Sequence, residues 1–306
     1  MLIANAPCSW GVLEFEPDSS TPSVAAAAPA AYPQVLDEIR DTGYVGTELG
    51  DWGFMPTDPA RLRDEIAARG LQLIGAFVPV PLVDPEAHTP GSVAAIRTAR
   101  LLRDAAGPDP FIVLADDNAT VPAREQHAGR ITPGLGLSDA QWTIFARGAN
   151  RIARDVREAT GLRTVFHPHC GGYVETPAEI DALMARTDPT LLGLCFDTGH
   201  TLYGGGDPVS VFDRHAARVW HVHFKDCDLA VARRAREQGL GYLAAVRAQL
   251  FSELGTGAVD FPAMLAALKR HGYQGWIVVE QDVFPGSGSP ADSARRNRDY
   301  LRSLGL

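Results

Sequence analysis

Eight short apolar runs alternate with longer amphipathic stretches along the whole of this 306-residue chain. That rhythm constrains the fold more than any single motif. The runs lie at about residues 2–6, 44–49, 71–78, 110–115, 163–167, 191–197, 218–224 and 275–280. Helical periodicity lies between them, at about 33–42, 58–69, 91–106, 138–160, 176–187, 208–216, 260–271 and 290–303. Punctuation supports the division. Asp58-Pro59 and Thr176-Pro177 combine a cap with proline in the first helical turn, and Gly43, Gly70, Gly161 and Gly272 each end a helix just before a run. Phe111-Ile112-Val113-Leu114 and Leu191-Leu192-Gly193-Leu194 are apolar without alternation, as in strands covered on both faces of a parallel sheet. Eight strand–helix units in about 300 residues predict one closed (β/α)8 barrel over residues 1–306. An open doubly wound sheet would carry a glycine-rich phosphate turn after its first strand. The sequence there is Ala6-Pro7-Cys8-Ser9-Trp10-Gly11.

Composition narrows the function classes. Hydrophobic residues make up 45% and charged residues 21%, enough for a large core and against disorder. Net charge is 28 − 37 = −9, which repels phosphate backbones and argues against a nucleic-acid partner. Cys8, Cys170, Cys195 and Cys227 form no C-x-x-C pair, and so few thiols suit a reduced compartment. The start of the chain lacks a basic region followed by a long apolar run, and no stretch nears ~20 apolar residues. The alanine-rich run at 24–31 is short and broken by Pro29. A cytoplasmic protein that neither spans nor binds a membrane is expected.

In such a barrel the strand ends converge on one mouth. The second run ends in Glu48, the fifth in His167-Pro168-His169, the sixth in Asp197-Thr198-Gly199-His200. The seventh ends in His221-Val222-His223-Phe224-Lys225-Asp226 and the eighth in Glu280-Gln281-Asp282. Each item alone has an ordinary reading: a satisfied core histidine, a helix cap, a solvated loop. Their concentration on four successive strand ends does not. Charged groups there are costly unless paired or bound to an ion. Asp197 and Glu280, with His223 and one of His167 or His169, make an oxygen and nitrogen set suited to Mn²⁺, Co²⁺, Mg²⁺ or Zn²⁺. Alternate strand residues share a face, so the earlier His of each pair is expected near the same wall, one layer deeper. Cys195 reads as core filler, and Cys170 has no evident partner set. Trp10 and Trp52 are either packing or an apolar wall for a sugar or cyclitol ring. Residues 116–137 read as a loop after the fourth run. Residues 225–259 read as the longest excursion, with a helical pattern at about 229–250.

Gly46-Thr47-Glu48-Leu49, Phe196-Asp197-Thr198-Gly199-His200, Val222-His223-Phe224-Lys225-Asp226 and Val278-Val279-Glu280 resemble the xylose-isomerase-like sugar phosphate isomerase/epimerase barrels. Within them, Phe166 through Gly172, Glu175 through Ile180, Gly204 through Pro208, and the Leu240-Gly241-Tyr242 insertion leading to Gly255-Thr256-Gly257 look most like inosose (2-keto-myo-inositol) dehydratases. The resemblance implies a divalent ion held by Asp197, His223 and Glu280. The fourth ligand is either His167 or a Glu175 that swings in. It implies catalytic or substrate-binding roles for His169 and His200, and a polyol or keto-sugar substrate. The stretch after the first strand departs from the dehydratase pattern: Ser9-Trp10-Gly11-Val12-Leu13-Glu14-Phe15 replaces a Trp-x-Asn-Asp-Asp-like segment. The expected chemistry is loss of water beside a ketone, with His169 or His200 as base and acid and Lys225 assisting at an oxygen. Glu48 would bind substrate hydroxyls. Competing readings are an epimerase or isomerase, a 3-keto-glycoside lyase, a metal-dependent endonuclease and a non-catalytic sugar-binding barrel. Barrels of this type often assemble as homo-oligomers.

Overall fold

The computed structural model describes residues 1–12, 31–284, 286 and 288–306. Residues 24–30 of the alanine-rich run, and Leu13, Glu14 and Phe15 after the first strand, lie outside the described residues. Strands β1 (Leu2–Asn5), β2 (Gly46–Glu48), β3 (Gln72–Pro79), β4 (Phe111–Ala115), β5 (Arg163–Phe166), β6 (Leu192–Asp197) and β7 (Val219–Phe224) are followed by β8 (Asp226–Cys227), β9 (Phe251–Ser252) and β10 (Trp276–Val279). Eight of them close into a barrel in the order β1-β10-β7-β6-β5-β4-β3-β2. Every pairing within it is parallel. The eight predicted runs are these eight strands.

The helices are α1 (Tyr32–Asp41), α2 (Pro59–Ala67), α3 (His88–Ala106), α4 (Pro122–Gln126), α5 (Asp139–Thr160), α6 (Pro177–Arg186), α7 (Thr198–Tyr203), α8 (Pro208–His215), α9 (Leu229–Gln238), α10 (Tyr242–Arg247), α11 (Phe261–Arg270) and α12 (Pro290–Ser303). Their ends follow the chemistry in the sequence. Asp58 accepts from Arg61 N–H ahead of α2, and Thr176 with Glu179 closes a capping box on α6. Gly161 ends α5 at φ 78°, a left-handed conformation that only glycine adopts cheaply. Helices and strands meet in one large core around Leu36, Phe145, Ile152, Phe166, Phe196, Phe212 and Leu268. Inside the barrel, Phe111, Val113, Val165 and Cys195 fill the layer beneath the rim, so Cys195 is indeed a buried packing residue.

One expectation needs correction. The helical pattern at 229–250 is two helices, because Gly239 turns left-handed at φ 63° and ends α9. Directly after β6, Asp197 caps the short helix α7, as the helix-cap reading of that residue allows. The insertion is stapled to the barrel by a small antiparallel pair, β8 with β9. The fully buried Asp226 carboxylate also accepts four backbone N–H groups, from Cys227, Gly255, Gly257 and Val259, at 2.8–3.0 Å. A buried carboxylate needs this many donors to offset its lost hydration. Ala128, Cys170, Tyr203, Val231, Tyr242 and Phe251 form a second apolar cluster that seats the insertion over the rim.

Candidate metal centre

Register brings the chemistry together. Asp197 is paired with His223 across β6 and β7, and Val278 with His223 across β10 and β7. Glu280 therefore emerges two residues later on the same face, its N–H held by Phe224 C=O at 3.1 Å. His167 extends β5 through its N–H to Leu114 C=O at 2.8 Å. One donor atom each from His167, Asp197, His223 and Glu280 lies within 4.8 Å of all the others, and all four residues are buried. His167 Nε2 is 3.6 Å from Asp197 Oδ2, and His223 Nδ1 is 3.2 Å from Glu280 Oε2.

Three of these four residues carry orphaned polar atoms. Both ring nitrogens of His167, Asp197 Oδ2 and His223 Nδ1 are buried without a hydrogen-bond partner among the described residues. Buried polar atoms are almost always paired, and a group of orphans aimed at one point calls for an ion. Asp197 does two jobs: Oδ1 caps α7 by accepting His200 N–H at 2.8 Å, leaving Oδ2 bare. His223 Nε2 donates to Glu48 Oε1 at 3.0 Å, which leaves Nδ1 facing the cluster. A carboxylate behind a ligating imidazole fixes its tautomer and raises its basicity. His221 Nε2 donates to the same Glu48 oxygen at 2.7 Å, one layer deeper. Burial alone would raise Glu48, but His223 and His221 outweigh it and hold its pKa at about 2. The donor set thus fits a divalent cation.

Above the cluster lies a cleft open at its top. His167, His169, Lys225, Glu280 and Asp282 line one side, and Pro7, Cys8, Val12, Phe77 and Asn118 the other. His169 Nδ1 donates to Cys170 C=O at 2.8 Å, so its Nε2 is the basic atom. Burial first, then His167 and Lys225, hold its pKa well below the ordinary histidine value. His200 stacks on His169 at 3.9 Å between ring centroids. Its Nδ1 lies 3.3 Å from the Cys170 nitrogen and its Nε2 3.0 Å from Lys225 Nζ. Lys225 is 1% exposed, and Asp282 Oδ2 and Glu280 Oε2 lie 2.9 and 3.1 Å from its Nζ. Burial would discharge it, but Asp282, Glu280 and Asp197 together hold its pKa above the ordinary lysine value.

At three residues left with two readings, the structure favours one. Trp10 does not line this cleft: its indole is 2% exposed in the helix–strand core and donates to Glu38 Oε2 at 2.6 Å, because a buried indole N–H needs an acceptor. Trp52 stands outside the cleft with the Arg97 guanidinium 3.9 Å from its ring. Glu175 neither swings in nor faces the cleft. Gly129 N–H and Gly171 N–H donate to it at 2.6 and 3.0 Å, making it a loop fastener. His167 is the residue in the cluster. Glu48 does reach the cleft wall, but its Oε1 is taken by two imidazoles. Sequence reasoning missed Asp282 and Tyr242. Asp282 lies two residues beyond Glu280, a same-face spacing that could have found it. Tyr242 O–H donates to Asp282 Oδ2 at 3.1 Å from the far insertion, which no local pattern reveals.

A sequence profile of the xylose isomerase-like TIM barrel family matches residues 36–304. An inosose dehydratase of Lacticaseibacillus casei is 33% identical over 271 residues, 88% of each chain. A rhizopine catabolism protein of Rhizobium meliloti is 35% identical over 274 residues, covering 89% of this chain and 81% of its own. Among solved structures, an L-ribulose 3-epimerase superposes with a TM-score of 0.69 at 19% identity, covering 100% of this chain and 95% of its own. A parallel barrel with this profile over most of its length belongs to the xylose isomerase-like TIM barrel family.

Proposed function

We propose that this chain is a divalent-cation-dependent dehydratase that removes water from a keto-inositol or a closely related keto-sugar. Relatives at 33% identity over 88% of the chain support a carbohydrate-modifying enzyme of the dehydratase or epimerase type. The observation that carries the metal-dependent reading is the set of bare, buried donor atoms on His167, Asp197 and His223, with Glu280 beside them, at the floor of the cleft. Mn²⁺ or Co²⁺ suits such a nitrogen and carboxylate set best, with Mg²⁺ or Zn²⁺ next.

The bound cation would polarise a substrate carbonyl and stabilise the negative charge that develops on proton removal. His169 Nε2, neutral and oriented by Cys170 C=O, accepts the proton next to that carbonyl. Lys225 faces the same cleft and hydrogen-bonds the departing hydroxyl, which takes the proton held on His169 and leaves as water. His200 does not line the cleft. It packs behind His169 and steadies Lys225, so it acts as a positioning residue. Asp282, held by Tyr242, keeps Lys225 charged. The walls opposite are mostly apolar or small, leaving room for a ring.

Incubating the metal-loaded protein with keto-inositols and keto-sugars tests this. The expected product absorbs as an unsaturated diketone and has lost water. Proton NMR in D₂O distinguishes the alternative: an epimerase retains the substrate's oxygen atoms and gains deuterium at one carbon. That result would replace elimination by epimerisation on the same residues.

A further inference from the structure

Next to the first cluster lies a second group of ligand-type side chains. Donor atoms of His169, His200 and Asp282 lie within 4.8 Å of one another, and all three residues are buried. Two imidazoles and a carboxylate make a facial set that binds first-row divalent metals. A side-chain cation already occupies that place. Lys225 Nζ is 3.0 Å from His200 Nε2, and 3.0 and 2.9 Å from the two Asp282 oxygens. It also lies 3.1 Å from Glu280 Oε2 and 3.7 Å from Asp197 Oδ2, both carboxylates of the first cluster.

The surroundings hold Lys225 there. Thr198 Oγ1 accepts Lys225 N–H at 3.0 Å and donates to Lys225 C=O at 2.7 Å. Gly199 leaves space for its stem, since a Cβ at that position would fall 2.7 Å from Lys225 Cγ. The Phe251 ring lies 4.9 Å from Nζ and closes the far side. Without the ammonium, Asp282 would be a buried charge beside two imidazoles, with the Tyr242 hydroxyl as its one donor among the described residues. A cation would answer that deficit.

We propose that Lys225 is an internal cation standing where a second divalent ion would otherwise bind, and that it holds this centre to one ion per chain. The inference rests on the first cluster holding an ion, as in the proposed function. Its consequence is a fixed positive charge beside the reacting oxygen whose presence does not depend on metal supply.

The test is the number of ions bound, read without any turnover. Wild-type protein and Lys225→Met, a neutral side chain of similar length, are dialysed against excess Mn²⁺ and their bound manganese is measured. Electron paramagnetic resonance reports whether two ions are coupled. We expect one ion per chain in the wild type even in large excess. We expect two in Lys225→Met, with an exchange-coupled signal, and one again when Asp282→Asn is added. One ion in a folded Lys225→Met, or two in the wild type, overturns the inference. No ion in the wild type overturns instead the metal-dependent reading on which it rests. If Lys225→Met does not fold, Lys225→Gln takes its place, and the wild-type count alone still decides against the inference if it is two.

Discussion

The two halves of the barrel rim differ in kind. The half built on β5, β6, β7 and β10 supplies His167, Asp197, His223 and Glu280 of the candidate metal cluster, together with His169, His200, Lys225 and Asp282. The half built on β1 to β4 supplies Ala6, Pro7, Val12, Gly50 and Phe77, a mostly apolar wall, with Asp117 and Asn118 at its edge. Glu48 is the bridge: it belongs to β2, yet its carboxylate crosses the barrel to His221 and His223. In the proposed function, reaction chemistry is gathered on one half and selection among substrates falls to the other. Substitutions in the first half should change whether the reaction runs, and substitutions in the second should change on what.

The sharpest break comes from the cluster itself. Asp197→Ala or His223→Ala should release the ion and lower turnover roughly 10³-fold or more, since a bound cation would lower the barrier by several kcal/mol. Elemental analysis beside the rate checks both parts. His169→Gln should lower kcat by about 10²–10⁴-fold while metal content stays at the wild-type level, because it removes the base and not a ligand. Equal metal loss in that variant would merge the two roles. Glu48→Gln sits behind a ligand, and should weaken metal affinity by about 10–100-fold, measured by competition with a chelator. On the wall, Phe77→Leu should shift KM by roughly 10-fold with kcat little changed, and alter the ranking of cyclitols against open sugars.

The smallest effect is on stability and pH. Burial, partly offset by Gly171 and Gly129 N–H, raises Glu175 from 4.5 to about 7. The fold therefore binds this proton more tightly than the unfolded chain does. Its contribution is complete below about pH 4.5 and is lost as pH rises through 7. Thermal midpoints should decline over that window, and Glu175→Gln should flatten the decline. An unchanged profile would show that Glu175 does not govern it.

The strand rhythm made the barrel legible because strands covered on both faces need continuous apolar runs, and their helices carry caps. The cluster was legible for a related reason: ionisable residues at the ends of buried strands have few explanations. Within it, the choice between His167 and Glu175 was not readable. Both are acids or bases near the end of β5, and only the two backbone donors that hold Glu175 decide it. Trp10 misled because an aromatic residue after a strand suits a sugar wall and a core equally. Its indole points at Glu38, a partner 28 residues away that no local spacing indicates. The role of Tyr242 was hidden for the same reason, since its contact with Asp282 spans 40 residues.

Anomalous diffraction from crystals grown with Mn²⁺ tests the central claim most directly. The account predicts a single strong peak bonded to His167, Asp197, His223 and Glu280, with Lys225 Nζ still among His200 and Asp282. A peak held instead by His169, His200 and Asp282, or no bound manganese near these side chains, would contradict it.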